Sequence, residues 1–368
     1  MRPTDSRYQK LSTEDRGRVS LEPADSTSST HRTSISKPSR LVYLVLGLVF
    51  LVVGLFFSLS LVPASALSGI ASLDSKPTLS LTPSANWSKL LQTLENIEEK
   101  FNRRLGYPVQ LLVNGELPSE GIRSRTEWIT GGKAKWSLVT KDQGWGPPSW
   151  ISSKDVQASV DKIGFSEGYR NMCRFFSMHY WRHPAVKDYE WIWRLDDTSR
   201  FHCALMEDPI ELMKNSSTTY GYSQIEHESL YVIPSLWETT LSFLQDANAR
   251  EQGWYRQMSK ENWLDLISDD RGKSYNLNFE IVHRSFLESE PYQAYVEYLD
   301  KAGGFYRERW GDAPIRTIAT ALFLPRRAFY YFSSITGYQH EHPNFICPDY
   351  AWCDCDPKKS GKNYGGNW

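Results

Sequence analysis

The stretch "WIWRLDDTSRFHC", Trp191 to Cys203, runs from large apolar residues straight into two adjacent aspartates. Together with the residues before it, "YEWIWRL" (189 to 195) has the length and the aromatic, β-branched character of a buried strand. Asp196 and Asp197 stand at its exit. Two carboxylates there suit a divalent cation that carries phosphate oxygens. They equally suit an Asx-type turn, because Asp side chains bond the nearby backbone. The rest of the chain has to decide between the two.

Upstream, Leu90, Leu91, Leu94, Ile97 and Phe101 recur at helical spacing, which predicts an amphipathic helix over 88 to 104. "YPVQLLVN" (107 to 114) and "KWSLVT" (135 to 140) read as strands, and "SEGYRNMCRFFSMHYW" (166 to 181) as a helix with an aromatic face. Strands alternating with helices predict an α/β layer fold in one domain. In open α/β sheets the ligand lies beyond the carboxyl ends of strands, which is where Asp196 falls. Downstream, Glu280 precedes a helix-like stretch bearing Phe286, Tyr292, Tyr295, Val296 and Leu299. Gly303-Gly304 reads as a turn, and "IRTIATALFL" (315 to 324) as a helix. Trp310, Gly311, Asp312 and Pro314 read as a tight polar turn, with Asp312 able to cap a helix from Ala313. "GYQHEHPNFICP" (337 to 348) holds His340 and His342 two residues apart, a spacing that suits a metal or plain surface polarity.

A net charge of -1 leaves no electrostatic footprint for nucleic acid, so none is expected as a partner. Fourteen tryptophans and twenty tyrosines fit surfaces that stack on sugars or bases, and fit a large aromatic core equally well. Residues 1 to 40 are rich in Ser, Thr, Pro and charge and read as a disordered cytoplasmic tail. "LVYLVLGLVFLVVGLFFSLSL", Leu41 to Leu61, carries no charge and is long enough to span a bilayer. Eight Lys and Arg against five Asp and Glu precede it, and no charge follows until Asp74. A single-pass type II signal anchor is therefore expected, with a stem over 62 to 85 and a luminal domain over 86 to 368. "PASA" (63 to 66) resembles a signal-peptidase site, but the apolar stretch is too extended for a cleaved signal. The sequons Asn86-Trp87-Ser88 and Asn215-Ser216-Ser217 agree with luminal placement. Five cysteines there become disulfide candidates, and the odd number leaves one over.

The blocks "FNRRLGYP" (101 to 108), "GYRNMCRFFS" (168 to 177), "YEWIWRLD" (189 to 196), "YNLNFEI" (275 to 281), "GGFYRERWGDAP" (303 to 314), "ALFLP" (321 to 325) and "GYQHEHPNFICP" carry a resemblance. In order and spacing the chain resembles the fungal α-1,2-mannosyltransferase family, glycosyltransferase family 15. The resemblance implies a GT-A-type nucleotide-sugar transferase fold with a mixed central sheet. It implies a GDP-mannose donor, a mannoside or glycan acceptor, Mn2+, retention of configuration and a Golgi membrane location. Carried over residue by residue, Tyr169 would stack on the guanine, and Arg194 and Asp196 would sit at the diphosphate and metal. His340 would ligate the metal, Glu280 would lie beneath the anomeric carbon, and Asp312 would orient the acceptor.

The chain departs from the family pattern in three places. Where the family has Glu-Pro-Asp, this sequence reads Asp196-Asp197-Thr198. An arginine expected to contact the donor is replaced at Pro83, with Arg123 or Arg125 as the nearest substitutes. A short insert containing a cysteine is missing between "YNL" and "NFEI". These departures define the competing class, a non-catalytic glycan- or partner-binding relative that kept the fold.

Overall fold

The computed structural model describes residues 77–82, 86–253, 271–341 and 345–361. The tail (1 to 40), the apolar span (41 to 61), the stem as far as residue 76, Pro83 and His342 lie outside the described residues. Among those described, no helix is long and apolar enough to cross a membrane.

The described strands are β1 (Thr78–Thr82), β2 (Val109–Asn114), β3 (Ala134–Val139), β4 (Trp191–Asp196), β5 (Ser199–Phe201) and β6 (Tyr220–Tyr222). They continue with β7 (Ile225–His227), β8 (Lys273–Tyr275), β9 (Phe279–His283), β10 (Phe329–Tyr331) and β11 (Tyr338–His340). The longer helices are α1 (Trp87–Ile97), α2 (Glu120–Thr130), α3 (Ser153–Ile163), α4 (Glu167–Met178), α5 (Pro209–Asn215), α6 (Leu236–Gln245), α7 (Glu290–Ala302) and α8 (Asp312–Phe323).

Seven strands build one mixed sheet in the order β10-β6-β9-β4-β1-β2-β3, in which β9 alone runs against its neighbours. The pairs β11·β5 and β7·β8 are separate two-stranded ribbons. The expected stem boundary at residue 85 is corrected here: Thr78–Thr82 is a central strand between β2 and β4. Its Pro and Ser flanks disguise it, but Leu79 and Leu81 are fully buried. Each such side chain contributes about 1.5–3 kcal/mol on burial.

Alternation along the strands separates two cores. Leu79, Leu81, Trp193, Phe279 and Ile281 pack with Leu90, Leu94 and Ile97 of α1 and Met213 of α5. On the other face Ile192, Tyr220 and Val282 pack with Phe175 and Phe176 of α4 and Ile315, Ile318 and Leu322 of α8. Helix α1 starts where Asn86 accepts the Lys89 N–H, and it continues through a π-helical turn, Glu98–Asn102, as far as Leu105. Gly106, with φ of 72°, ends it, close to the boundary predicted from periodicity.

Glu280 lies on β9, which ends just before the short helix Arg284–Leu287. One reading of local structure changes. The stretch at Trp310 is not a polar surface turn, because Trp310 is buried and its indole lies against Gly304, where a Cβ would stand 2.1 Å from the ring. Asp312 is the first residue of α8, and the capping position belongs to Gly311.

The order of connection locates the ligand crevice. The chain leaves β1 for β2 and β3 on one side, then returns to β4 on the other. That reversal is a switch point, and it opens beyond the carboxyl ends of β1 and β4. Thr82 and Asp196 are register partners at that end.

Candidate active site

Asp196 is the last residue of β4, and its side chain is 33% exposed. Its Oδ1 accepts from the Thr198 N–H and hydroxyl, each at 3.1 Å, which is an Asx turn. The same oxygen lies 3.6 Å from Nε2 of His340, whose side chain is 14% exposed. One carboxylate thus both forms the turn and faces the histidine. Asp197 is buried, and its carbonyl accepts from the Thr93 hydroxyl of α1 at 2.8 Å. Burial acts to raise the Asp196 carboxyl, but contacts from His340, Asp197 and Thr198 outweigh it and hold it at about 2. Asp196 is therefore an anion at any ordinary pH.

Beneath this mouth, one register row crosses the sheet on the α4 and α8 side: Gln110, Ser80, Arg194, Glu280 and Tyr222. Arg194 is buried, ion-paired with Asp312, and its guanidinium stands 3.7 Å over the Phe176 ring. Burial disfavours its charge, yet Asp312 and Glu280 outweigh that and hold Arg194 above its ordinary value. Glu280 is 0% exposed. Its Oε1 lies 2.9 Å from Nε of Arg316 and accepts from Tyr220 at 3.0 Å, and its Oε2 accepts from Tyr180 at 3.4 Å. Arg316 is 1% exposed and donates to Tyr292 at 2.5 Å and to the Phe176 carbonyl at 2.9 Å. The result is a buried alternation of charge: Asp312, Arg194, Glu280, Arg316.

Tyr169 is half-buried on α4, and its hydroxyl accepts from Arg309 at 3.3 Å. Its ring lies 5.0 Å from Phe165, and Arg309 is held by both oxygens of Glu228 at 2.9 and 3.0 Å. Arg125 pairs with Glu95 at 2.8 Å and covers the Trp128 ring on the outer helices.

The structure thus brings Asp196 together with His340, Arg194 with Asp312, and Arg194 with Glu280 across one strand pair. It leaves Glu280 closed off. Arg316, Tyr180, Tyr220 and Asn278 were not anticipated. A lone arginine in the apolar run "PIRTIATALF" was the one available signal, since a buried charge needs a partner.

Among the described residues no group of three or more His, Cys, Asp or Glu side chains could hold a metal ion. The pair Asp196 and His340 does fit a shared cation: carboxylate oxygen and imidazole nitrogen suit manganese. The two donor atoms lie 3.6 Å apart at the mouth of the crevice. The diphosphate and water would have to complete such a site.

Known proteins resemble this chain in sequence and in fold. The family described as glycolipid 2-alpha-mannosyltransferase matches residues 74–365. The chain is 39% identical over 263 residues to glycolipid 2-alpha-mannosyltransferase 2 of Candida albicans, covering 68% of this chain and 55% of that protein. It is 36% identical over 289 residues to alpha-1,2 mannosyltransferase KTR1 of Saccharomyces cerevisiae, covering 73% and 70%. The match thus spans about half the length of the Candida relative and more of the yeast one. Among solved structures, core-mannan synthase A of Aspergillus fumigatus in its Mn/GDP form superposes with a TM-score of 0.69 at 29% identity, covering 79% of this chain and 80% of that one.

Proposed function

The chain belongs to the glycolipid 2-alpha-mannosyltransferase family, glycosyltransferase family 15, and on that footing we propose that it is a retaining mannosyltransferase. It moves mannose from GDP-mannose to a mannose-terminated glycan or wall mannan, forming an α-1,2 linkage. The observation that carries the reading is the convergence of Asp196 and His340 at the switch point of the sheet.

Asp196 and His340 are the residues that would hold Mn2+, which when bound would supply positive charge to the diphosphate of the leaving GDP. Arg194 adds its charge to the diphosphate from below. Asp312 offers a carboxylate to an acceptor hydroxyl, the two being partners until substrates part them. Retention needs a carboxylate on the face opposite the leaving group, or one that stabilises a cation during same-face attack. With both Glu280 oxygens engaged, the second role fits: a fixed negative charge beneath the anomeric carbon. Tyr169 and Phe165 present rings on which guanine can stack. A Golgi type II placement is supported by the apolar stretch, the two sequons and the disulfides Cys203–Cys353 and Cys347–Cys355.

The test is mannose transfer from GDP-mannose to α-methyl mannoside by the full-length chain in detergent, with Mn2+ and with chelator. Chelator is expected to abolish transfer. Asp196→Ala is expected to cut it by about 10²–10³-fold in protein that still folds cooperatively. Folded wild-type protein that binds no GDP-mannose would instead favour a non-catalytic glycan-binding relative, the reading that Thr198 in place of an acid supports.

A further inference from the structure

Asn278 immediately precedes β9 and contacts β4, β5 and β11 at the mouth of the site. Its carbonyl accepts from the Tyr338 hydroxyl at 2.6 Å, the Ser199 hydroxyl at 3.3 Å and the Asp196 N–H at 3.3 Å. Its own N–H donates to Asn276 Oδ1 at 2.9 Å. These backbone bonds fix where the side chain starts. The side-chain amide then meets Nδ1 of His340 at 3.1 Å, while the other ring nitrogen faces Asp196.

A neutral imidazole carries one proton, and the partner of one nitrogen decides the state of the other. With the amide nitrogen of Asn278 donating to Nδ1, the proton sits on Nε2 and points to Asp196. In that state Nε2 has no lone pair for a cation. Rotating the amide half a turn presents Oδ1 instead, which places the proton on Nδ1 and frees Nε2. An asparagine can serve both states because it carries a donor and an acceptor on one pivot.

We propose that Asn278 is a positioning residue that selects the His340 tautomer, holding Nε2 protonated against Asp196 in the empty site and releasing it when a divalent cation binds. The cation half of this rests on the role proposed above for Asp196 and His340; the tautomer half does not. No proton is gained or lost, since the ring exchanges one N–H for the other through solvent.

The experiment uses the full-length chain with ¹⁵N-labelled histidine at pH 8, where an ordinary imidazole is neutral. Long-range ¹H–¹⁵N correlations read which nitrogen of His340 is protonated, and electron paramagnetic resonance reads Mn2+ uptake in the presence of GDP. Wild type without cation is expected to show the proton on Nε2. Asn278→Asp, which can only accept, is expected to shift it to Nδ1 and to bind Mn2+ at least as tightly as wild type. Asn278→Leu is expected to bind Mn2+ about 10–100-fold more weakly, with the backbone bonds and the melting temperature preserved. Equal Mn2+ affinity in wild type and Asn278→Leu, or the same tautomer in wild type and Asn278→Asp, would overturn the assignment. Absence of Mn2+ uptake by wild type would count against the metal reading of the site, while the tautomer comparison would still decide the role of Asn278.

Discussion

The Glu280–Arg316 pair is the most enclosed charge contact described above, and its cost and benefit can be separated by substitution. Arg316→Met leaves Glu280 without its cation inside the core, and removal of one partner of a buried pair costs about 3–5 kcal/mol. Denaturant unfolding is expected to show that loss for Arg316→Met, and a smaller one for Arg316→Met with Glu280→Leu, because no charge is then stranded. Equal losses would mean that packing, not charge, holds this position. At this scale the sequence was informative where chemistry sits at an element's end. Asp196 could be placed at a strand exit because it follows a run of large apolar residues. Arg316 could not, since its partner lies 36 residues away on a strand whose direction the sequence does not show. Asn278 sits inside a recognised block, yet nothing in its neighbours announces that it would meet a histidine 62 positions later.

Among the elements, β2, β3, β4, α1 and α4 were readable, each having a full period of apolar residues. β1 was not, because five residues between Pro and Ser clusters resemble a linker until their neighbours are known. Its central place predicts that a chain starting before Pro77 folds, whereas one starting at Pro83 loses the strand between β2 and β4 and aggregates. Circular dichroism and size-exclusion chromatography check this. The end of α4 gives a pH prediction. His179 packs against Gly144 beside a cleft of about 800 Å³, and burial, then the charges of Arg174 and Arg182, lower its pKa to about 4. Between pH 4 and 6.5 the unfolded chain takes up a proton that the folded chain refuses. Stability therefore rises with pH across that window, by up to about 3 kcal/mol from this group. His179→Gln is expected to flatten the fall in melting temperature on acidification from pH 6.5 to 4; an unaltered fall would assign it elsewhere.

For the whole molecule, the C-terminal segment acts as a strap. Cys203 at the end of β5 is bonded to Cys353, and Cys347 to Cys355. Asp354 adds contacts to Lys100 at 2.9 Å and to His202 at 2.6 Å. Removing Cys203–Cys353 by paired substitution to Ser releases a loop spanning 150 residues and is expected to cost about 2–5 kcal/mol, read as a lower denaturation midpoint. None of this pairing could be read from cysteine spacing. The same span sets a problem of timing. At a synthesis rate of about 5–20 residues per second, Cys203 waits some ~8–30 s for its partner to emerge. Throughout that interval the nearest thiol is Cys173, made only thirty residues earlier. Cys173 lies on the buried face of α4, wholly inside the core, and burial pushes its thiol well above the ordinary range. The core that encloses it includes Tyr292, Leu299 and Ile315, so the wrong partner is withdrawn only once the second half of the domain has packed on α4, shortly before Cys353 itself is made.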